Sequence, residues 1–262
     1  MLFVLTCLGF AGALVAGLLG VGGAIVMIPL LLYAPPWFGF PPLEVGTVAA
    51  ISMVQVFFAA LSGAIAYGRR GEVHRRLTVT VGVAAALAAL AGGAGSRWMH
   101  PLALLCVFAV MATVGAVLMW AAPTERSGSS AAAETSAYRP SLAIVVGIAV
   151  GFGAGLVGAG GAFLLVPLLI TVVGIPVRVT IGSSLAITLW TATAGVLGKV
   201  VTGQVPFATA TALVLGAIPG AQVGERLSRQ IGIRGLKNLL AVVISLVALG
   251  VWVDIFFFFH WR

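Results

Sequence analysis

Apolar and polar positions alternate along this chain over lengths far longer than one helical turn or strand repeat. Apolar blocks cover Leu2–Tyr33, Val45–Tyr67, Leu77–Trp98, Pro101–Ala122, Leu142–Val173, Val179–Val201, Phe207–Arg226 and Leu236–Phe259, with short polar stretches between them. A block of about 20 apolar residues is what an α-helix needs to cross a bilayer. Six of the blocks suit one crossing each. Leu2–Tyr33 and Leu142–Val173 do not, because a straight helix of about 32 residues is about 48 Å long against about 30 Å of hydrocarbon. Both are expected to break inside the membrane.

The two long blocks carry the same motif. Gly17-Leu-Leu-Gly20-Val-Gly22-Gly23-Ala-Ile-Val-Met-Ile-Pro29-Leu30 aligns with Gly155-Leu-Val-Gly158-Ala-Gly160-Gly161-Ala-Phe-Leu-Leu-Val-Pro167-Leu168 at a constant offset. Clustered glycines are the natural place for each break. Broken backbone at membrane depth must be buried in protein or face a wet cavity, and paired breaks in matching halves point to a transporter binding site. The competing reading is that the glycines serve close helix packing. The repeat continues past the motif: Gly46-Thr47 resembles Gly182-Ser183, Gly71-Glu72-Val73 resembles Gly203-Gln204-Val205, and Gly95-Ser96-Arg97 resembles Gly224-Glu225-Arg226. The chain is a duplication, with a first membrane repeat at 1–122 and a second at 141–262. Residues 123–140, polar and low in complexity, are expected to form a flexible linker on the cytoplasmic side. Leu142–Ala154 is the internal counterpart of the N-terminal stretch, so residues 2–16 read as part of the fold and not as a signal peptide.

Charge placement discriminates between two topologies. If each broken block crosses once, the halves are parallel and the Lys and Arg residues divide eight to six. If each broken block enters, turns at the glycines and leaves on the same side, the halves are inverted. Arg69, Arg70, Arg75, Arg76, Arg126, Arg139, Arg178, Arg226, Arg229, Arg234 and Lys237 then share one side, against Arg97, Lys199 and Arg262, eleven to three. The second division follows the positive-inside rule. The pieces flanking the glycines, of about 11–16 residues, also suit half-helices. The expected fold is an all-α polytopic membrane protein with two inverted repeats. Each repeat is a re-entrant broken-helix hairpin plus three transmembrane helices, and both termini lie outside.

Composition agrees: 61% of residues are hydrophobic and 8% charged, against roughly 25% charged in soluble domains. The pI near 10.8 reflects loop arginines and not a nucleic-acid surface. Cys7 and Cys106 lie in apolar blocks and suggest neither a disulfide nor a metal site. No catalytic set, metal or cofactor is expected: His74, His100 and His260 lie at block ends or in loops, and the chain has six acidic residues. Gly153-Ala-Gly155-Leu-Val-Gly158 matches a dinucleotide fingerprint but lacks its strand, helix and acidic residue. Gly216, Gly220 and Gly224 form a small-residue ridge suited to packing. Arg97 and Arg226 read as interface anchors, and so does Lys199, for which recruitment of anions at the mouth is the alternative.

The candidate site follows from the breaks. Half-helices starting at Ala24 and Ala162 would present unpaired N–H groups near mid-membrane, an anion-binding arrangement. Gly20, Gly22, Gly23, Gly158, Gly160 and Gly161 would let a ligand reach the backbone. Thr47, Ser52, Ser183, Ser184 and Thr188 are the nearby hydroxyls. These residues resemble the sulfite exporter TauE/SafE family of membrane permeases, in the doubled glycine motif, the Gly-hydroxyl steps and the Gly-x-Arg ends. The resemblance covers all but the linker. It implies export of small sulfur-containing anions such as sulfite, sulfonates or sulfoacetate through the bacterial inner membrane, with the lipid bilayer as surroundings, no nucleic acid, and homo-oligomerisation left open. One departure stands out: the family often shows Gly-Thr-Ser at the second-block step, and the first copy here reads Gly46-Thr47-Val48. A non-transporting subunit of a membrane complex, or less readily an intramembrane enzyme, is the alternative.

Overall fold

The computed structural model describes residues 2–19, 24–69, 71, 73–122, 139–175, 177–228 and 230–258, and the regular structure among them is helical. The helices are α1 (Leu2–Leu19), α2 (Ala24–Trp37), α3 (Val45–Gly68), α4 (Arg75–Gly95), α5 (Pro101–Ala121), α6 (Pro140–Val157), α7 (Ala162–Leu168), α8 (Val177–Val201), α9 (Phe207–Ser228) and α10 (Ile233–Val253). A π-helical turn continues α7 to Val173, and another continues α10 to Phe258. Eight helical stretches are long and apolar enough to cross a membrane; Ile25–Trp37 and Ala162–Val173 are shorter apolar helices. Helix is the state such blocks must adopt, because hydrocarbon offers no water to their N–H and C=O groups. Residues 123–138 of the linker expected at 123–140, together with Gly20, Gly22, Gly23, Arg70, Glu72, Arg229 and Arg262, lie outside the described residues, and Pro140 already starts α6.

Polar side chains start several helices. The His74 Nδ1 accepts from the Leu77 N–H at 3.0 Å and the His100 Nδ1 from the Leu102 N–H at 3.3 Å. Proline stands in the first turn of α5 and of α6, where its missing N–H costs nothing. Gly71 and Gly203, paired by the internal alignment, both have φ of +71°. The two halves thus make the same left-handed turn at the same place.

The arms before the breaks are longer than the glycine spacing suggests. α1 and α6 have 18 residues each, about 27 Å of helix, and not 11–16 residues. The reason is that their internal glycines do not interrupt the helix; they let another backbone approach. A Cβ on Gly9 would lie 2.2 Å from the Leu213 carbonyl oxygen, and one on Gly17 2.3 Å from that of Ala221. Gly216, Gly220 and Gly224 of α9 face the carbonyl oxygens of Thr6, Phe10 and Leu14 in return, at 1.9, 2.3 and 2.0 Å from their ideal Cβ positions. The packing ridge expected on α9 is therefore where α1 seats. Gly151 and Gly155 of α6 lie likewise against the carbonyls of Ala85 and Ala89 on α4. The first glycine of each motif copy, Gly17 and Gly155, is a packing glycine.

These contacts fix directions. Residue numbers rise together along α1 and α9, and along α6 and α4, so each pair is parallel. In both cases the first helix of one half lies on the fourth helix of the other. α3 and α8 meet at the centre and run antiparallel, with Gly63 against Leu185 and Gly195 against Met53. α5 and α10 are antiparallel too: the Trp120 Nε1 donates to the Ser245 Oγ at 3.1 Å, and the Trp252 Nε1 to the Thr113 Oγ1 at 3.0 Å. The Lys237 ammonium donates to the Ala122 carbonyl and ties the start of α10 to the end of α5.

Candidate functional site

α6 stops at Gly158, whose φ of +78° caps the helix; the N–H groups of Gly158 and Ala159 both return to the Ala154 carbonyl, at 2.9 and 3.1 Å. Gly160 and Gly161 follow with φ of +63° and +82°. A left-handed backbone of this kind favours glycine, since any other side chain adds steric cost. α7 then begins at Ala162, and the Gly161 carbonyl accepts from Leu164 and Leu165. The N–H groups of Gly160, Gly161 and Ala162 donate no hydrogen bond among the described residues.

The centres of α3 and α8 wall this break. The Ser52 hydroxyl donates to the Gly158 carbonyl at 3.0 Å, and the Thr191 hydroxyl lies 2.9 Å from the Gly160 carbonyl. A Cβ on Gly160 would sit 2.3 Å from the Val56 Cγ1 and 3.0 Å from the Thr188 Cγ2. Val56 and Thr188 each lie halfway along their helices, so the break lies at the mid-length of α3 and α8. Two fully buried polar groups on these two helices have no hydrogen-bond partner among the described residues: the Thr188 hydroxyl and both ends of the Gln55 amide. Gln55 follows Ser52 by one turn on the same face of α3. Such orphaned groups cost about 1–3 kcal/mol each and are rare in folded proteins. The carbonyls of Gly158, Gly160 and Gly161 are thus engaged, while the N–H groups of Gly160, Gly161 and Ala162 stand unused.

The expected residues divide into three groups. Gly158, Gly160, Gly161, Ala162, Ser52 and Thr188 converge on the break. Ser184 lies one turn before Thr188 on the same face of α8, but its hydroxyl donates to the Ile181 carbonyl at 2.9 Å. Ser183 faces elsewhere: its oxygen accepts from the His74 N–H at 2.9 Å and anchors the loop before α4. Thr47 stays half-buried in the first turn of α3. Ala24 begins α2; the glycines before it are outside the described residues. No three His, Cys, Asp or Glu side chains are grouped to share a metal ion among the described residues.

A protein of apolar helices with a broken helix opening at its centre has the architecture of a transporter. Residues 5–251 match the sequence profile of the sulfite exporter TauE/SafE family. The chain belongs to that family. It is 25% identical to the probable membrane transporter protein YunE of Bacillus subtilis strain 168, over 93% of this chain and 94% of that protein. It is 30% identical to a probable membrane transporter protein of Xylella fastidiosa strain 9a5c, over 90% of this chain and 87% of that one. No solved structure matches it. The chain is therefore a multi-pass membrane transporter of the TauE/SafE family.

Three residues of this TauE/SafE transporter escape a reading for hydroxyls and surface charges. Gln55 is an uncharged amide inside an apolar block, flanked by Val54 and Val56; that isolation is its signal. Thr191 continues the face of Ser184 and Thr188. Lys199 is the correction: expected as an interface anchor near a block end, it is fully buried. Its ammonium donates to the Ser96 Oγ at 2.8 Å because the end of α4 folds across it.

Proposed function

We propose that this TauE/SafE transporter exports small sulfur-containing anions of the sulfite, sulfonate or sulfoacetate class, holding them at mid-membrane on the broken helices. The observation that carries the reading is the set of unused donors at one point. The N–H groups of Gly160, Gly161 and Ala162 lie beside Thr188 with its orphaned hydroxyl, and the orphaned Gln55 amide stands on α3 between Ser52 and Val56, which wall the same break. An oxyanion accepts from several donors at once, and hydrogen bonds to a charged group are roughly twice as strong as neutral ones. A cation would need acceptors, and the carbonyls of Gly158 and Gly160 are already engaged by Ser52 and Thr191. By the repeat, Gly20, Gly22, Gly23 and Ala24 supply the matching half of the site. The family's description as sulfite exporters supports the anion class. Purified protein is expected to bind sulfite, thiosulfate and small sulfonates more tightly than carboxylates of similar size, and to move them across liposome membranes. Folded, monodisperse protein that binds none of these overturns the reading.

The halves 1–122 and 141–262 are, in this proposal, inverted repeats in the bacterial inner membrane. Each hairpin, α1–α2 or α6–α7, enters and returns on one side, and three crossings follow. The antiparallel pairs α3–α8 and α5–α10 support this, since corresponding helices of parallel halves would run the same way. The eleven-to-three division of Lys and Arg supports it independently. The linker at 123–140 is then cytoplasmic and both termini are external. Cysteines placed at Ser129 and beside the C-terminus are expected to react with impermeant reagent from opposite sides. Reaction of both from one side restores parallel halves.

A further inference from the structure

We infer that Lys199, held in place by Ser96 and Gln204, forms a second anion station between the broken helix and the membrane surface at the end of α8. The inference rests on the anion-transport reading above and extends it to the route out of the central site. Lys199 lies three residues before Thr202 in an apolar helix and has no exposed surface. Its Nζ donates to the Ser96 Oγ at 2.8 Å and, at 3.5 Å, to the Leu156 carbonyl. No carboxylate pairs with it among the described residues. An ammonium has three protons, so one is left without a partner. The Ser96 Oγ also lies 2.9 Å from the Gln204 Oε1, and the Gln204 Nε2 donates to the Thr202 Oγ1 at 2.6 Å and the Gly93 carbonyl at 3.1 Å. A buried cation surrounded by neutral polar groups lacks only its anion.

The position joins the central site. Leu156 lies two residues before Gly158, so the ammonium touches the last turn of α6 beside the break. The other half also shows that the fold does not require a cation here. Counting from the matched glycines Gly182 and Gly46, Lys199 corresponds to Gly63; counting from Gly95 and Gly224, Ser96 corresponds to Glu225. Gly63 and Glu225 line one small cavity together, so the same joint is built there with a glycine in place of lysine. Burying an unpaired ammonium costs several kcal/mol, and an ionisable group inside a membrane segment is by default functional. An anion leaving the broken helix meets in Lys199 the charge that offsets loss of its hydration, while Ser96 and Gln204, whose own protons are engaged, hold the ammonium in place.

Two variants test this in the full chain, with sulfite as the probe. Lys199→Gln keeps a hydrogen-bond donor and removes the charge. It is expected to leave sulfite affinity at the central site within about threefold and to slow sulfite efflux from proteoliposomes by about tenfold or more, the scale of one hydrogen bond to a charged group. Gln204→Glu places a fixed carboxylate beside the same Ser96 oxygen that Lys199 bonds. It gives up the Nε2 bonds to Gly93 and Thr202 and gains an ion pair, so the folded protein is expected at somewhat changed stability with efflux slowed about tenfold, because the ammonium is then permanently paired. If Lys199 merely caps the end of α6, Gln204→Glu transports at the wild-type rate, and that outcome overturns the inference even where Lys199→Gln fails to fold. Loss of binding in Lys199→Gln as large as that caused by changing Thr188 also overturns it, by merging the two sites. Wild-type protein that neither binds nor carries any test anion is a different failure, that of the transport reading itself.

Discussion

Replacing Gln55 by leucine is expected to raise thermal stability and to weaken anion binding at once. Leucine has nearly the volume of glutamine and no polar atoms. The Gln55 amide is buried with neither its oxygen nor its nitrogen hydrogen-bonded, so its removal relieves a desolvation penalty of about 1–3 kcal/mol. The same amide is proposed to bond the anion, and a bond to a charged group is worth about 1.5–3 kcal/mol, roughly a tenfold to hundredfold loss of affinity. Thr188→Val, which swaps the orphaned hydroxyl for a methyl of equal size, is expected to act with the same two signs. Opposite movement of stability and function marks a group kept for its ligand. Thermal melting and sulfite titration of the purified variants measure both. If Gln55→Leu and Thr188→Val bind sulfite as wild type does, these groups are tolerated polar residues and the proposed site is wrong. If the variants melt lower, the groups have partners in the folded protein and the premise is wrong.

Much of the fold was legible because the chain states it twice. The repeated glycine cores place the second break where it lies, at Gly158–Gly161. The matched Gly71 and Gly203 adopt one turn, and the small-residue ridge on α9 packs as its spacing suggests. What could not be read is which job each glycine does. Gly155 and Gly158 look alike in sequence, yet Gly155 receives the α4 backbone inside a continuous helix and Gly158 ends that helix. The difference lies in the neighbouring carbonyls of Ala89 and Ala49, which come from distant parts of the chain. For the same reason the helix before the break was expected to be shorter than it is. Ser183 and Ser184 are adjacent and alike in type, but about 100° of helical rotation sends one to His74 and the other toward the face of Thr188. Lys199 reads as an anchor from its place near a block end. Its burial depends on the end of α4, more than a hundred residues away.

The glycine break itself sets the largest expected effect. Gly160→Leu is expected to abolish sulfite binding, and so is the smaller Gly160→Ala, but either alone confounds the site with the fold. Alanine at a φ of +63° carries about 1–2 kcal/mol of backbone strain, and its Cβ would sit 2.3 Å from the Val56 Cγ1. Adding Val56→Ala removes that contact, so the Gly160→Ala/Val56→Ala protein is expected to fold at reduced stability. The new methyl then stands beside the Thr188 side chain, in the space assigned to the anion, and sulfite binding is expected to be lost. Two controls bracket the result. Val56→Ala alone leaves a cavity and the loop's glycine, and is expected to keep binding. Gly216→Ala puts a Cβ 1.9 Å from the Thr6 carbonyl oxygen and forces α1 from α9. It is expected to cost about 1–3 kcal/mol of stability, the usual scale of overpacking, with affinity unchanged. Sulfite bound at wild-type affinity by folded Gly160→Ala/Val56→Ala protein would mean that the left-handed glycines only turn the chain, and the anion must then be held elsewhere along α3 and α8.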